Sequence, residues 1–158
     1  MRVLILSLIM MLSLSVAAQL QRDTTLSRCP VFIIDTVSGN NFFNEARTAT
    51  LKVFRVKGDL SIAIEQKDQM FSLFFRDKRL KNTKYKIQAN PDSRNEIAAK
   101  YTFHIGDQVS YISVASGTVE VLYDKEKEVW RLKVNGLIAN FVEKSVSYYK
   151  VKANFAVK

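Results

Sequence analysis

The chain has 158 residues, with 24 Lys and Arg against 15 Asp and Glu for a net charge of +9, 47% hydrophobic content, five Gly, two Pro, one Cys and one His. So little glycine, proline and cysteine excludes a collagen-like, low-complexity or disulfide-stapled chain. Ten Phe, six Tyr and one Trp offer enough apolar surface to offset the entropy of ordering, so a folded chain is expected rather than a disordered one.

Met1 and Arg2 make a short basic start, Val3 to Val16 is an apolar run broken only by serines, and Val16-Ala17-Ala18 presents the small residues a signal peptidase needs. The pattern predicts a secretory signal at 1–18 and an exported β domain at 19–158, periplasmic or extracellular. A run of about 14 apolar-rich residues is too short for the roughly 20 that cross a bilayer as a helix. Cys29 follows Leu26-Ser27-Arg28, a weak likeness to a lipid-attachment box. Arg28 stands where a small residue is required, so lipidation is not expected. A lone cysteine has no internal disulfide partner and reads as a small buried hydrophobe or a thiol that pairs between chains.

After a polar lead from Gln19 to Arg28, alternation with period two dominates. Val31 to Asp35 is a short apolar run. Leu51 and Val53 interleave with Lys52 and Phe54, and after the turn at Lys57-Gly58-Asp59 the positions Leu60, Ile62 and Ile64 resume the pattern. Asn41 to Thr48 is the best helical candidate, but it is too short to hold without packing. Phe71, Leu73 and Phe75 are followed by Tyr85 and Ile87, and Asn90-Pro91-Asp92-Ser93 marks a loop because Pro91 biases Asn90 away from helix. Ile97, Ala99, Tyr101 and Phe103 lead to a turn at Gly106-Asp107, then Val109 and Tyr111.

In the last third, Val119, Val121 and Tyr123 share a face, Asp124 to Lys127 turn, and Trp130, Leu132 and Val134 return. Asn135-Gly136 fits a hairpin turn, but alternation resumes at Leu137, Ala139 and Phe141, which favours a bulge in one long strand. Tyr149, Val151, Ala153, Phe155 and Val157 face inward while Lys150, Lys152 and Asn154 face water. The total is about eight or nine strands in an antiparallel β-sandwich or flattened barrel, with at most one short helix.

Tyr85-Lys86-Ile87, the tyrosine-bearing strand after it, Ser116 to Val121, the charged turn, Val129 to Phe141 and the closing strand form a series. Over about Leu60 to Lys158 it resembles small secreted β-sandwich or lipocalin-like domains of unknown function common in Bacteroidota. Asn135-Gly136-Leu137 stands where such domains carry Gly-Thr-Phe, and Asn154 where they carry glycine. The resemblance implies export and no catalytic residues.

Catalysis needs proton-transfer or nucleophilic groups held together, and the chain is poor in them. His104 lies at a strand end beside Gly106-Asp107 without an evident orienting partner, and one His with one Cys is too few for zinc. The scattered glycines form no phosphate loop. Asp124, Glu126 and Glu128 alternate with lysines and read as a solvated hairpin tip rather than a calcium loop. No catalytic residue, metal or cofactor is expected, and the chain is read as no enzyme.

Two features point to partners. Arg76, Lys78, Arg79, Lys81, Lys84 and Lys86 crowd together with only Asp77 opposing, either as a lysine-blunted solvated edge or as a contact for an anionic glycan or lipid headgroup. Nucleic acid is not expected, since no stacking motif is present. Among the aromatics, Tyr101, Phe103, Tyr111 and Tyr123 are the candidate ligand contacts, while Trp130 reads as a core anchor. The expected function is an exported, non-enzymatic module that binds an apolar or glycan ligand. The alternative is a structural or assembly component of the cell envelope that acts through protein contacts.

Overall fold

The computed structural model describes residues 22–43, 48–142 and 145–158, so the expected signal lies outside the described residues. The described residues contain eleven strands: β1 (Arg22–Leu26), β2 (Val31–Asp35), β3 (Ala49–Val56), β4 (Asp59–Gln66), β5 (Gln69–Phe75), β6 (Thr83–Gln88), β7 (Glu96–Ile105), β8 (Gln108–Ser113), β9 (Ser116–Asp124), β10 (Val129–Val142) and β11 (Ser145–Val157). They form one sheet in the order β1-β3-β4-β5-β7-β6-β9-β10-β11-β2, with β8 on the free length of β7. The sheet curls into a half-barrel around its apolar face.

The all-β class therefore stands, with two corrections. The sheet is mixed, because β6 and β7 run parallel over Lys86↔Glu96 and Ile87↔Ile97. So brief a parallel contact does not need the long crossover that full parallel pairing requires. The strand count is also higher than expected, and β1 is a strand inside the polar lead. Only Leu26 is apolar in β1, and its placement rests on the backbone ladder from Arg22↔Val53 to Leu26↔Ala49. Among the described residues there is no helix. Asn41, at the head of the expected helix, bridges Ile34 instead, while residues 44–47 lie outside the described set.

Alternation sets the core. From Lys150 to Lys158 exposed and buried residues alternate without a break, as the sequence pattern predicts. Tyr85, Phe71, Phe75, Ile97 and Leu132 are at most 2% exposed. Each such side chain contributes roughly 1.5–3 kcal/mol by leaving water. Phe75 and Tyr85 meet edge to face with centroids 5.2 Å apart, which ties β5 to β6 across the intervening β7. Trp130 is half-buried against Tyr123 at 5.0 Å, closer to the rim of the core than a central anchor.

Asn135-Gly136 is neither a hairpin turn nor a bulge. Registers with β9 and β11 run through it unbroken, pairing Gly136 with Gly117 on one side and Val151 on the other. Packing demands the glycines here. A Cβ on Gly136 would stand 2.8 Å from Val114 Cγ1, and one on Gly117, whose φ is +150°, would run into the Asn135 carbonyl. Gly117→Ala is therefore expected to cost about 2 kcal/mol or more through backbone strain and steric clash. A urea unfolding midpoint equal to that of the parent would refute this.

Candidate functional site

The curl brings two walls together at the end of the sheet where β5 begins. There a cavity of about 220 Å³ opens between Gln69, Tyr101, Phe103 and Ile112 on one side and Ile33, Ile138, Asn140 and Tyr149 on the other, with Phe42 over it. Tyr101 and Phe103 stack at 5.1 Å although they are alternate residues of β7, and Tyr149 takes Phe42 edge-on at 5.3 Å. Aromatic pairs in these geometries contribute about 0.5–1.5 kcal/mol beyond the area they bury, so the walls are held in shape without a ligand.

The covering segment is fixed by polar contacts. Asn41 Oδ1 accepts from the Ile33 and Phe43 N–H groups at 2.9 and 3.2 Å. Gln69 Nε2 donates to the Phe42 carbonyl at 2.9 Å and to the Tyr101 hydroxyl at 2.7 Å, which joins cover to wall. Asp35 starts the segment, its carboxylate accepting from the N–H groups of Val37 at 2.6 Å and Ser38 at 2.9 Å. These bonds, that from Ser38 foremost, hold the Asp35 carboxyl below the usual carboxylate range. Burial raises the Tyr101 phenol, which stays a neutral hydrogen-bonding group.

Of the four aromatic residues expected to touch a ligand, the fold brings together Tyr101 and Phe103. Tyr111 points to the outer face, 63% exposed, with the Lys100 ammonium 4.6 Å from its ring centroid. Tyr123 is at the far end of the sheet beside Trp130. Alternation places Tyr111 opposite Thr102, one residue off the face shared by Tyr101 and Phe103. Sequence reasoning missed Gln69, Phe42 and Asn140. The expected bulge, with alternation resuming at Leu137, Ala139 and Phe141, puts Asn140 on the outer face, whereas the unbroken register keeps it in phase with Leu132, Val134 and Ile138 and leaves Phe141 exposed; Gln69 beside a turn carries no pattern signal at all.

The basic segment is at the other end of β5. Six residue steps at about 3.4 Å put it some 20 Å from the cavity. Arg76, Lys78, Arg79 and Lys81 line a cleft of about 380 Å³ with Asp59, Asp77 and Arg94, the last of which the sequence reading did not single out. Arg76 Nη1 donates to the Pro91 carbonyl at 2.8 Å, and Lys81 pairs with Asp77 at 2.9 Å. Lys84 and Lys86 are separate from the cleft, on the outer face of β6, where they pair in register with Glu120 and Thr118.

His104 is exposed at the β7 end, its backbone N–H bonded to the Asp68 carbonyl. In the acidic turn, Asp124 Oδ1 accepts from the Glu126 and Lys127 N–H groups and Oδ2 takes Arg131 Nε at 2.9 Å. The Arg131 bond is the main reason that the Asp124 carboxyl is lowered. Its oxygens are thus committed to closing the turn. Cys29 is half-buried against the core, its Sγ 3.9 Å from the Val31 carbonyl. No family model, curated protein or solved structure matches the chain.

Two outcomes follow from the cover. Because the folded Asp35 carboxyl is depressed, its stabilisation is complete above the unfolded value and lost as pH falls through the folded one. The protection factors of the Val37 and Ser38 amides, taken relative to the intrinsic exchange rate at each pH, should therefore fall on acidification in the parent and already be low at neutral pH in Asp35→Ala; equal protection in both would contradict it. Tyr101→Phe removes one of the two Gln69 acceptors and should cost about 1 kcal/mol in urea unfolding, whereas an unchanged midpoint would show the bond to be idle.

Proposed function

We propose that the protein is an exported, non-enzymatic binding module that takes a small apolar group into the cavity under Phe42. The observation that carries this reading is a preformed cavity of about 220 Å³ whose walls are almost wholly aromatic and aliphatic, with Gln69 and Asn140 as polar points. Magnitude limits the ligand. An apolar cavity of about 150 Å³ takes a benzene-sized molecule, while whole drug-sized ligands occupy roughly 300 Å³ or more. A single ring or a short acyl segment fits, with the rest of a larger ligand outside the mouth. Closure of the sheet toward a flattened barrel with a ligand at its mouth is part of the same proposal, and is the feature shared with lipocalin-like domains.

The assembly reading has one observation in its favour. At the cavity end of the sheet, Val37, Ile105, Val109 and Phe141 are 95%, 64%, 61% and 75% exposed, apolar side chains that a second protein would cover. N-phenyl-1-naphthylamine fluorescence separates the two. Binding by the monomer, abolished in Asn140→Trp and retained in Tyr123→Ala, supports the cavity; no enhancement, together with a light-scattering dimer that Phe141→Ser dissolves, would replace it with assembly.

A further inference from the structure

The convex face of β6, β9, β10 and β11, with β2 at its margin, carries the side chains that alternate with the core. Cross-strand registers align Lys84, Glu120, Lys133 and Asn154 in one row, and Lys86, Thr118, Asn135, Lys152 and Phe32 in the next. Where the rows end, Pro30, Phe32, Lys133, Asn135, Lys152 and Asn154 enclose a shallow depression of about 310 Å³. Phe32 is 40% exposed there, its ring accessible beside the two lysines. Neither Lys133 nor Lys152 belongs to an ion pair among the described residues, and Glu120 is the single carboxylate in the two rows.

These groups make up a chemically consistent set. An aromatic ring packs against the C–H face of a pyranose, amides of asparagine bond sugar hydroxyls, and ammonium groups pair with carboxylate or sulfate substituents. We propose that this face binds an acidic polysaccharide, with one sugar stacked on Phe32 between Lys133 and Lys152 and the adjoining residues running past Lys86. Beyond Lys84 the chain reaches the Arg76 to Arg94 cleft, where cations again outnumber carboxylates.

A lipid surface fits less well. Interfacial binding places a cluster of apolar side chains among the cations, whereas on this face Leu122, 53% exposed beside Arg131, is three strands away from Phe32, and the strongly exposed Ile105, Val109 and Phe141 are at the cavity end. The face is also convex, so a flat bilayer meets few of its lysines at once. Single-stranded nucleic acid calls for a series of stacking rings, and Phe32 stands alone in its row among Thr118 and Asn135. The proposal is independent of the cavity reading.

Native gels containing polygalacturonate, dextran sulfate or neutral dextran test it. The parent protein should be retarded by one of the acidic polymers, which tells carboxylate from sulfate, and not by dextran. Retardation should weaken as salt is raised. Lys133→Ala with Lys152→Ala should lower affinity about tenfold. Phe32→Ala should lower it several-fold, with Phe32→Tyr restoring it, while binding of inorganic polyphosphate is unchanged by either. Circular dichroism confirms that each variant keeps its sheet. The proposal is overturned by absent retardation, by folded variants that bind as the parent does, by polyphosphate retained as strongly as either glycan, or by preference for phosphatidylglycerol vesicles or single-stranded DNA.

Discussion

One covalent constraint governs the architecture. β1 and β2 are at opposite ends of a ten-strand path, yet only residues 27–30 separate them in sequence. Nine steps of about 4.8 Å would set the ends of a flat sheet roughly 43 Å apart, whereas the link from Leu26 to Val31 reaches about 18 Å at full stretch. The sheet has to curl. Its apolar face then folds inward on itself, so one sheet buries what a sandwich buries between two.

That curl also accounts for where the chemistry lies. The walls of the cavity come from β5, β7 and β8 on one side and β2, β10 and β11 on the other, segments distant in sequence that approach because the ends of the sheet are tied. Curling turns the opposite face outward, and with it every second residue of β6, β10 and β11. Lysine at those positions keeps the convex surface solvated and blunts pairing with other sheets. The same spacing lets Lys133, Lys152 and Phe32 act together. The apolar end and the cationic face are thus two products of one alternating pattern.

Much of this was legible in the sequence because burial imposes period two. The inward set from Tyr149 to Val157 and the outward lysines between them are read correctly from alternation alone, as is the continuity of β10 through Gly136. The failures have physical causes. β1 has almost no apolar residues and is held by backbone bonds, which no side-chain pattern reports. Gly136 reads as a bulge by local preference, but the tertiary approach of Gly117 and Val114 decides its role. Tyr111 differs from Tyr101 and Phe103 by a single register step on a neighbouring strand, and register between β7 and β8 is set by pairing rather than by composition. Gln69 joins the site through Phe42 and Tyr101, contacts made across long sequence separations.

The central claim is that a tied, curled sheet brings its two walls together under a fixed cover. Nuclear Overhauser spectroscopy on the ligand-free protein addresses it most directly. The account predicts cross-peaks from the Phe42 ring to Tyr149, whose centroids are 5.3 Å apart, and from the Phe43 ring to Tyr101 at 5.9 Å, in the same molecule. Intact strand ladders with either set of cross-peaks missing would contradict it, because the sheet would then be formed without the closure on which the cavity depends.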